Sequence, residues 1–276
     1  MEAKAVTYRI DRPALVAIVL DAVRGRPDVV AAWEGGSAAW GRADAWSDAD
    51  LQLLAADEEP ATIAAIFAAV EGALEAAGGI RGRFVVPEPA WHGHSQRFYH
   101  VADAGPYVML DLVVVHPGVA ERFLAPEQHG HAIVHLGGGD DVAAPAFDAA
   151  AHRVRLRRAF EEAVGRFDLF QPLVTKEVVR GHFIDAIAFY HGLTLRPLVV
   201  LLGIAHRPLR FDFGARYLHD DLPEADAAAL AELYAVRDLD DLADKHARAC
   251  AWFRVLADGI DVEAIDLEGA SAALRG

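Results

Sequence analysis

Tyr107-Val108-Met109-Leu110-Asp111-Leu112-Val113-Val114-Val115-His116 constrains the fold of this chain more than any other stretch. It is a continuous apolar run rich in valine, the pattern of a strand covered on both faces. Such a strand needs a sheet with layers packed on each side, which points to an α/β arrangement. A single charge, Asp111, interrupts the run. Burying an unpaired carboxylate is costly, so Asp111 is expected to have a partner, either an arginine near the strand end or a metal ion.

A second pattern lies upstream. Val29 to Trp33 suits a short strand leading into Gly35-Gly36-Ser37, and ten residues after Ser37 comes Asp48-Ala49-Asp50-Leu51. Glycine lets the backbone turn sharply and approach a ligand closely. Ser37 supplies a hydroxyl and is expected to open a short helix whose N–H groups favour an anion. Asp48 and Asp50 alternate with Ala49, Leu51 and Leu53, so on a strand both carboxylates share one face. Carboxylates so placed repel each other unless a cation or proton lies between them. Magnesium fits, because it prefers oxygen ligands and bridges carboxylates to substrate phosphates. The competing reading is an edge strand with two solvated aspartates.

Together these elements resemble the nucleotidyltransferase superfamily that includes DNA polymerase beta and the small antibiotic nucleotidyltransferases. The family pattern is a hydrophobic residue, Gly-Ser or Gly-Gly, a spacer, Asp-x-Asp/Glu and a third carboxylate on a later strand. Gly36-Ser37 and Asp48-Ala49-Asp50 match its first two elements, and the matching segment runs from about Val29 to His116. The resemblance implies an α/β (α+β) N-terminal nucleotidyltransferase domain with a mixed sheet. It implies Asp48, Asp50 and Asp111 as catalytic and metal-holding carboxylates, two magnesium ions, and a nucleoside triphosphate, ATP first, as donor. Glu88 is a rival third carboxylate, but Pro87 and Pro89 flank it and argue against a central strand.

Gly36, Ser37 and Arg42 would hold the triphosphate; for Arg42 the other reading is a solvated or Asp44-paired side chain. Some relatives place a basic residue of a helical domain over the phosphates. Lys176 and Arg180, i and i+4 on an expected helix, are the candidates here, against the reading of a solvated helix face. Trp91, Arg97 and Tyr99, in an expected loop, are candidate acceptor or base contacts. Phe211 to Tyr217 reads as a helix-junction core before it reads as a cleft lining. His92, His94, His100, His129 and His131 could be drawn as a zinc cluster, but no cysteine accompanies them.

At 276 residues the chain can hold two modest domains. The expected division is residues 1–140, a catalytic domain, and residues 147–276, an all-helical C-terminal domain, joined through Gly137-Gly138-Gly139-Asp140-Asp141 and Ala144-Pro145. In the first half, helices are expected over Arg12 to Arg24 and Pro60 to Ala77, with a strand at Arg83 to Val86. In the second half they are expected over Asp148 to Phe167, Leu173 to His191, Leu195 to Ile204, Glu224 to Val236 and Leu239 to Asp258.

The net charge of −15 argues against long nucleic acid as a partner, since phosphate backbones call for a cationic surface. A negative field favours small cationic acceptors such as aminoglycosides. No apolar run is expected to span a membrane. Met1 to Arg9 lacks the apolar core of a signal peptide. The single cysteine, Cys250, sits in an expected amphipathic helix and reads as core, compatible with a reducing cytoplasm.

The functional expectation is magnesium-dependent transfer of a nucleoside monophosphate from a nucleoside triphosphate to a hydroxyl of a small, cationic acceptor, releasing pyrophosphate. Two alternatives stay open: nucleotidyl transfer onto a protein partner, as in toxin–antitoxin systems, and a non-catalytic nucleotide-binding module. Oligomeric state is open as well.

Overall fold

A computed structural model describes residues 9–276. All of Met1 to Arg9 except Arg9, the segment weighed as a leader, lies outside the described residues. The chain divides into two compact units, the first ending at Ala146 and the second Phe147–Gly276.

The first unit opens with α1 (Arg12–Val23), whose start is set by Asp11: its carboxylate accepts from Ala14 N at 2.9 Å. Then come β1 (Val29–Glu34), the single turn α2 (Gly36–Ala39), β2 (Ala49–Ala55) and α3 (Pro60–Ala77). The series continues with β3 (Ile80–Val85), β4 (Ser95–Val101), β5 (Leu110–Val115), α4 (Pro126–His129) and β6 (Ile133–Leu136). The strands form one six-stranded sheet in the order β3-β4-β5-β2-β1-β6. The β2–β5 pair is parallel and the other pairs are antiparallel, so the sheet is mixed.

Both faces of β5 are covered, as its unbroken apolar run demands. Leu110, Leu112 and Val114 pack with Leu51 and Leu53 against Val19 of α1 and Ile66, Phe67, Val70 and Leu74 of α3. Val113 and Val115 pack on the opposite side with Trp33, Leu54 and Leu124.

β4 corrects the expectation of a loop from Trp91 to Tyr99. Its polar residues hid it from a hydrophobicity reading, yet Ser95, Gln96, Arg97 and Tyr99 each have a specific partner. Arg97 and Tyr99 face α3, where both donate to Glu71 Oε1, at 2.7 and 2.9 Å. They are thereby removed from the acceptor role expected of them. Burial and the Glu71 carboxylate push the Tyr99 phenol well above its ordinary range. β6 was also not foreseen; it lies just before the glycines read as linker, and Gly139–Val142 forms one 3-10 turn.

The second unit contains α5 (Ala149–Arg180), α6 (Phe183–Phe189), α7 (Arg196–His206), α8 (Leu218–Asp221), α9 (Glu224–Tyr234), α10 (Leu239–Gly259) and α11 (Leu267–Arg275). α5 corrects the expected break between Phe167 and Leu173. It runs 32 residues through Pro172 and ends at Gly181, whose φ of +76° closes the helix. The expected helix Leu173 to His191 is therefore the end of α5 plus α6, and a π-helical turn, Tyr190–Leu195, links α6 to α7. Gln171 ties α5 to that turn by donating to the Leu193 carbonyl at 3.1 Å and accepting from Thr194 Oγ1 at 2.7 Å. Phe211 is buried in this core, as expected of a helix junction, and so is Cys250.

Two helical stretches, Pro60–Ala77 and Phe183–His206, do have the length and apolarity of a membrane span, contrary to the expectation that none would. Each lays its buried residues into the core of its own unit.

Candidate active site

The β2–β5 register builds the site. Asp50 pairs with Asp111 across two parallel strands, so the two carboxylates leave the same face of the sheet side by side. Asp111 rather than Glu88 stands in that position. Glu88 follows β3 and accepts from Ser95 Oγ at 2.5 Å.

Asp48 stands just before β2. Its Oδ1 accepts from Met109 N at 3.0 Å, and its carbonyl accepts from Arg12 Nε at 2.9 Å. One carboxylate oxygen is thus turned to the backbone entering β5, while Arg12 also binds the buried Glu34 through its Nη2. His135 Nε2 approaches the other Glu34 oxygen at 3.5 Å.

The Gly-Ser turn closes directly over Asp50. Gly35 N donates to the Asp50 carbonyl at 2.9 Å. Gly36 has φ of +56°, and a Cβ there would lie 1.9 Å from Asp50 Oδ2, so glycine is required on both counts. α2 is one turn long, so whatever anion affinity this corner has comes from its turn amides and the Ser37 hydroxyl rather than from a helix dipole. Ser37 Oγ is buried and makes no hydrogen bond; the same holds for Gln52 Oε1 beside Gly35 and for the Nε1 of Trp33, the cross-strand neighbour of Gln52. Buried polar atoms rarely go without partners, and the Ser37 hydroxyl, one residue after the glycine that closes over Asp50, fits a site that takes a polar ligand; Trp33 instead lies within an apolar cluster. An in-register carboxylate pair also has the hard oxygen donors that magnesium prefers.

Arg42 follows α2, with its guanidinium 5.8 Å from the centre of the Trp40 ring. Trp46 and Tyr107, just ahead of β2 and β5, form an exposed edge-to-face pair with ring centres 5.2 Å apart. This aromatic rim escaped the sequence reading, although an aromatic residue shortly before each strand was its visible signal.

Lys176 and Arg180 lie on α5 of the second unit, on one face as their spacing requires. Both are drawn to the buried Glu177 carboxylate, at 3.8 and 2.8 Å. They line an open cavity of about 710 Å³ with Asp168, Gln171, Thr175 and Arg254. Among the described residues, the group of three metal-capable side chains whose ligand atoms lie within 4.8 Å of one another is also in this unit: Glu177, His182 and Asp185. Glu177 there is already compensated by Arg180, Lys176 and His182, and its carboxyl is held below the ordinary range.

Of the five histidines considered as a cluster, His92 and His94 are buried and hydrogen-bonded, while His100 and His131 are exposed. His94 is buried, accepting from His116 N through Nδ1 at 3.1 Å and reaching the Glu121 carbonyl through Nε2 at 2.7 Å. Burial pushes its pKa down, as expected of a neutral core imidazole. His92 stacks on it and contacts Gln96.

No protein family and no curated protein matches the chain. Among solved structures it is similar to an aminoglycoside 6-adenyltransferase from Bacillus subtilis, 14% identical over 97% of this chain and 98% of that one, with a TM-score of 0.37. So loose a likeness carries no weight for function, which has to be argued from the site.

Proposed function

We propose that the first unit is a nucleotidyltransferase that moves a nucleoside monophosphate from a nucleoside triphosphate, ATP in the first instance, to a hydroxyl of a small cationic acceptor. The observation that carries the reading is the register of Asp50 with Asp111 beneath a glycine turn that leaves no room for a Cβ. A phosphate group can approach the backbone of that turn, and the unpartnered Ser37 hydroxyl can donate to it. Asp50 and Asp111, with Asp48 at their edge, would hold magnesium, which supplies charge neutralisation at the phosphates and acidifies a bound hydroxyl.

The chain's own residues bind, orient and take up the proton. The acceptor oxygen forms its bond to the α-phosphorus, the bond from that phosphorus to the bridging oxygen breaks, and pyrophosphate leaves. The hydroxyl proton passes to the Asp111 carboxylate. Positioning is the main contribution of the protein to such a transfer. The net charge of −15 supports a cationic acceptor over a nucleic acid.

Calorimetric titration of ATP, CTP, GTP and UTP with and without magnesium, against wild type and Asp50→Asn, tests the donor site. Magnesium-dependent binding that disappears in the variant is the expected result. Absence of binding by the wild type would reduce the chain to a non-catalytic relative of this fold.

A further inference from the structure

A chain of three hydrogen bonds runs from a backbone amide to Asp111. His94 N donates to His92 Nδ1 at 3.1 Å; His92 Nε2 contacts Gln96 Oε1 at 3.1 Å; Gln96 Nε2 donates to Asp111 Oδ1 at 2.7 Å. Its direction is set at the far end. A backbone N–H can only donate, so His92 Nδ1 must carry a lone pair, and the ring proton sits on Nε2. That proton goes to the amide oxygen of Gln96, which leaves the NH₂ group as the only part of the amide that can face Asp111. Register agrees: Gln96 opposes Val113 and Phe98 opposes Asp111, so Gln96 lies one pleat away on the carboxylate face.

We propose that Gln96, with its amide oriented by His92, is a positioning residue that fixes the Asp111 carboxylate beside Asp50 for divalent-cation binding. This rests on the metal-dependent reading above. Without His92 the amide loses its reason to present nitrogen, and a flipped amide would set its oxygen against the carboxylate. His92 is buried, stacked on His94 and in edge-to-face contact with Trp91 and Phe123, so the ring that sets the direction is itself held in place. Partners of this kind behind a metal ligand are worth roughly 10–100-fold in metal affinity.

The test is Mn²⁺ affinity of the full chain, read by electron paramagnetic resonance of the free ion, for wild type, Asp50→Asn, Gln96→Met and His92→Phe, with thermal unfolding alongside. The expected result is binding by wild type, loss in Asp50→Asn, and about ten-fold weaker binding in Gln96→Met. A smaller loss is expected in His92→Phe, which gives up two hydrogen bonds and melts below wild type while remaining folded. His92→Phe leaves Gln96 in place, so it decides the matter should Gln96→Met fold poorly. Wild-type affinity in a folded Gln96→Met or, failing that, in His92→Phe, while Asp50→Asn has lost binding, overturns this inference alone. No Mn²⁺ binding by wild type, or binding that survives Asp50→Asn, overturns the metal reading and this inference with it.

Discussion

Gly36 and Asp50 share a space that excludes even a methyl group: a Cβ on Gly36 would stand 1.9 Å from Asp50 Oδ2. Gly36→Ala therefore meets two penalties, a left-handed backbone at φ +56° and a clash with the carboxylate. Gly41 separates them, because its φ is +66° but nothing lies within 4 Å of its missing Cβ. Gly41→Ala should lose roughly 1–2 kcal/mol in urea unfolding from backbone strain, and Gly36→Ala more because of the added clash. Only Gly36→Ala should also lose magnesium-dependent nucleotide binding by calorimetry. Equal binding by the two variants would dissociate the turn from the site.

Asp48 can be split in the same way into a backbone role and a charge. Its Oδ1 accepts from Met109 N, a bond that an asparagine oxygen can also accept. Asp48→Asn should keep the stability of wild type within about 0.5 kcal/mol, whereas Asp48→Ala should lose about 1 kcal/mol with the bond. Nucleotide binding with magnesium should weaken in both. If Asp48→Asn binds as wild type does, Asp48 is a structural cap on β5 and leaves the metal set.

Much of the first unit was legible because its signals are local. The apolar run around Asp111, the glycines before Ser37 and the Asp50 alternation each follow from chain geometry over a few residues. What hid from the sequence depends on partners far along the chain. β4 is polar because Gln96 serves Asp111 and Arg97 serves Glu71, so its alternation carries no hydrophobic signature. Pro172 reads as a helix end, yet α5 continues through it with Pro172 on the exposed side and its buried neighbour Gln171 bonded to the Phe167 and Leu193 carbonyls. The spacing of Lys176 and Arg180 was readable, but their buried partner Glu177 was not.

The second unit has its own buried charge centre. Asp221 accepts from Arg207 Nη1 at 2.8 Å and pairs with Arg210, and all three side chains are nearly inaccessible, at 3%, 3% and 8% exposure. Removing the carboxylate leaves two guanidiniums desolvated, so Asp221→Asn should cost about 3–5 kcal/mol. The Arg254–Asp168 pair is a matched control with similar geometry at 2.7 Å but 56% and 72% exposure. Arg254→Ala should change stability by less than about 1 kcal/mol. Comparable urea midpoints for the two variants would mean that burial does not set the strength of this network.

Cys250 gives the stability a defined alkaline signature. Burial in the α10 core pushes its thiol from an ordinary 9.0 up to about 11. Between those values the folded chain keeps the proton while the unfolded chain releases it. The unfolded state then binds fewer protons than the native one, so stability is complete below the lower value and falls as pH rises through the upper. The slope contributed by this thiol reaches roughly 1.4 kcal/mol per pH unit. Tyr190 and Tyr234, also raised by burial, act in the same direction. Cys250→Ala removes only the thiol share, so the difference between its urea midpoints and those of wild type should change across pH 9 to 11 and stay flat below. The same burial should leave the native thiol inert to a disulfide reagent at pH 8 and make it reactive in urea. A native thiol that reacts as fast as free cysteine would place Cys250 outside the core.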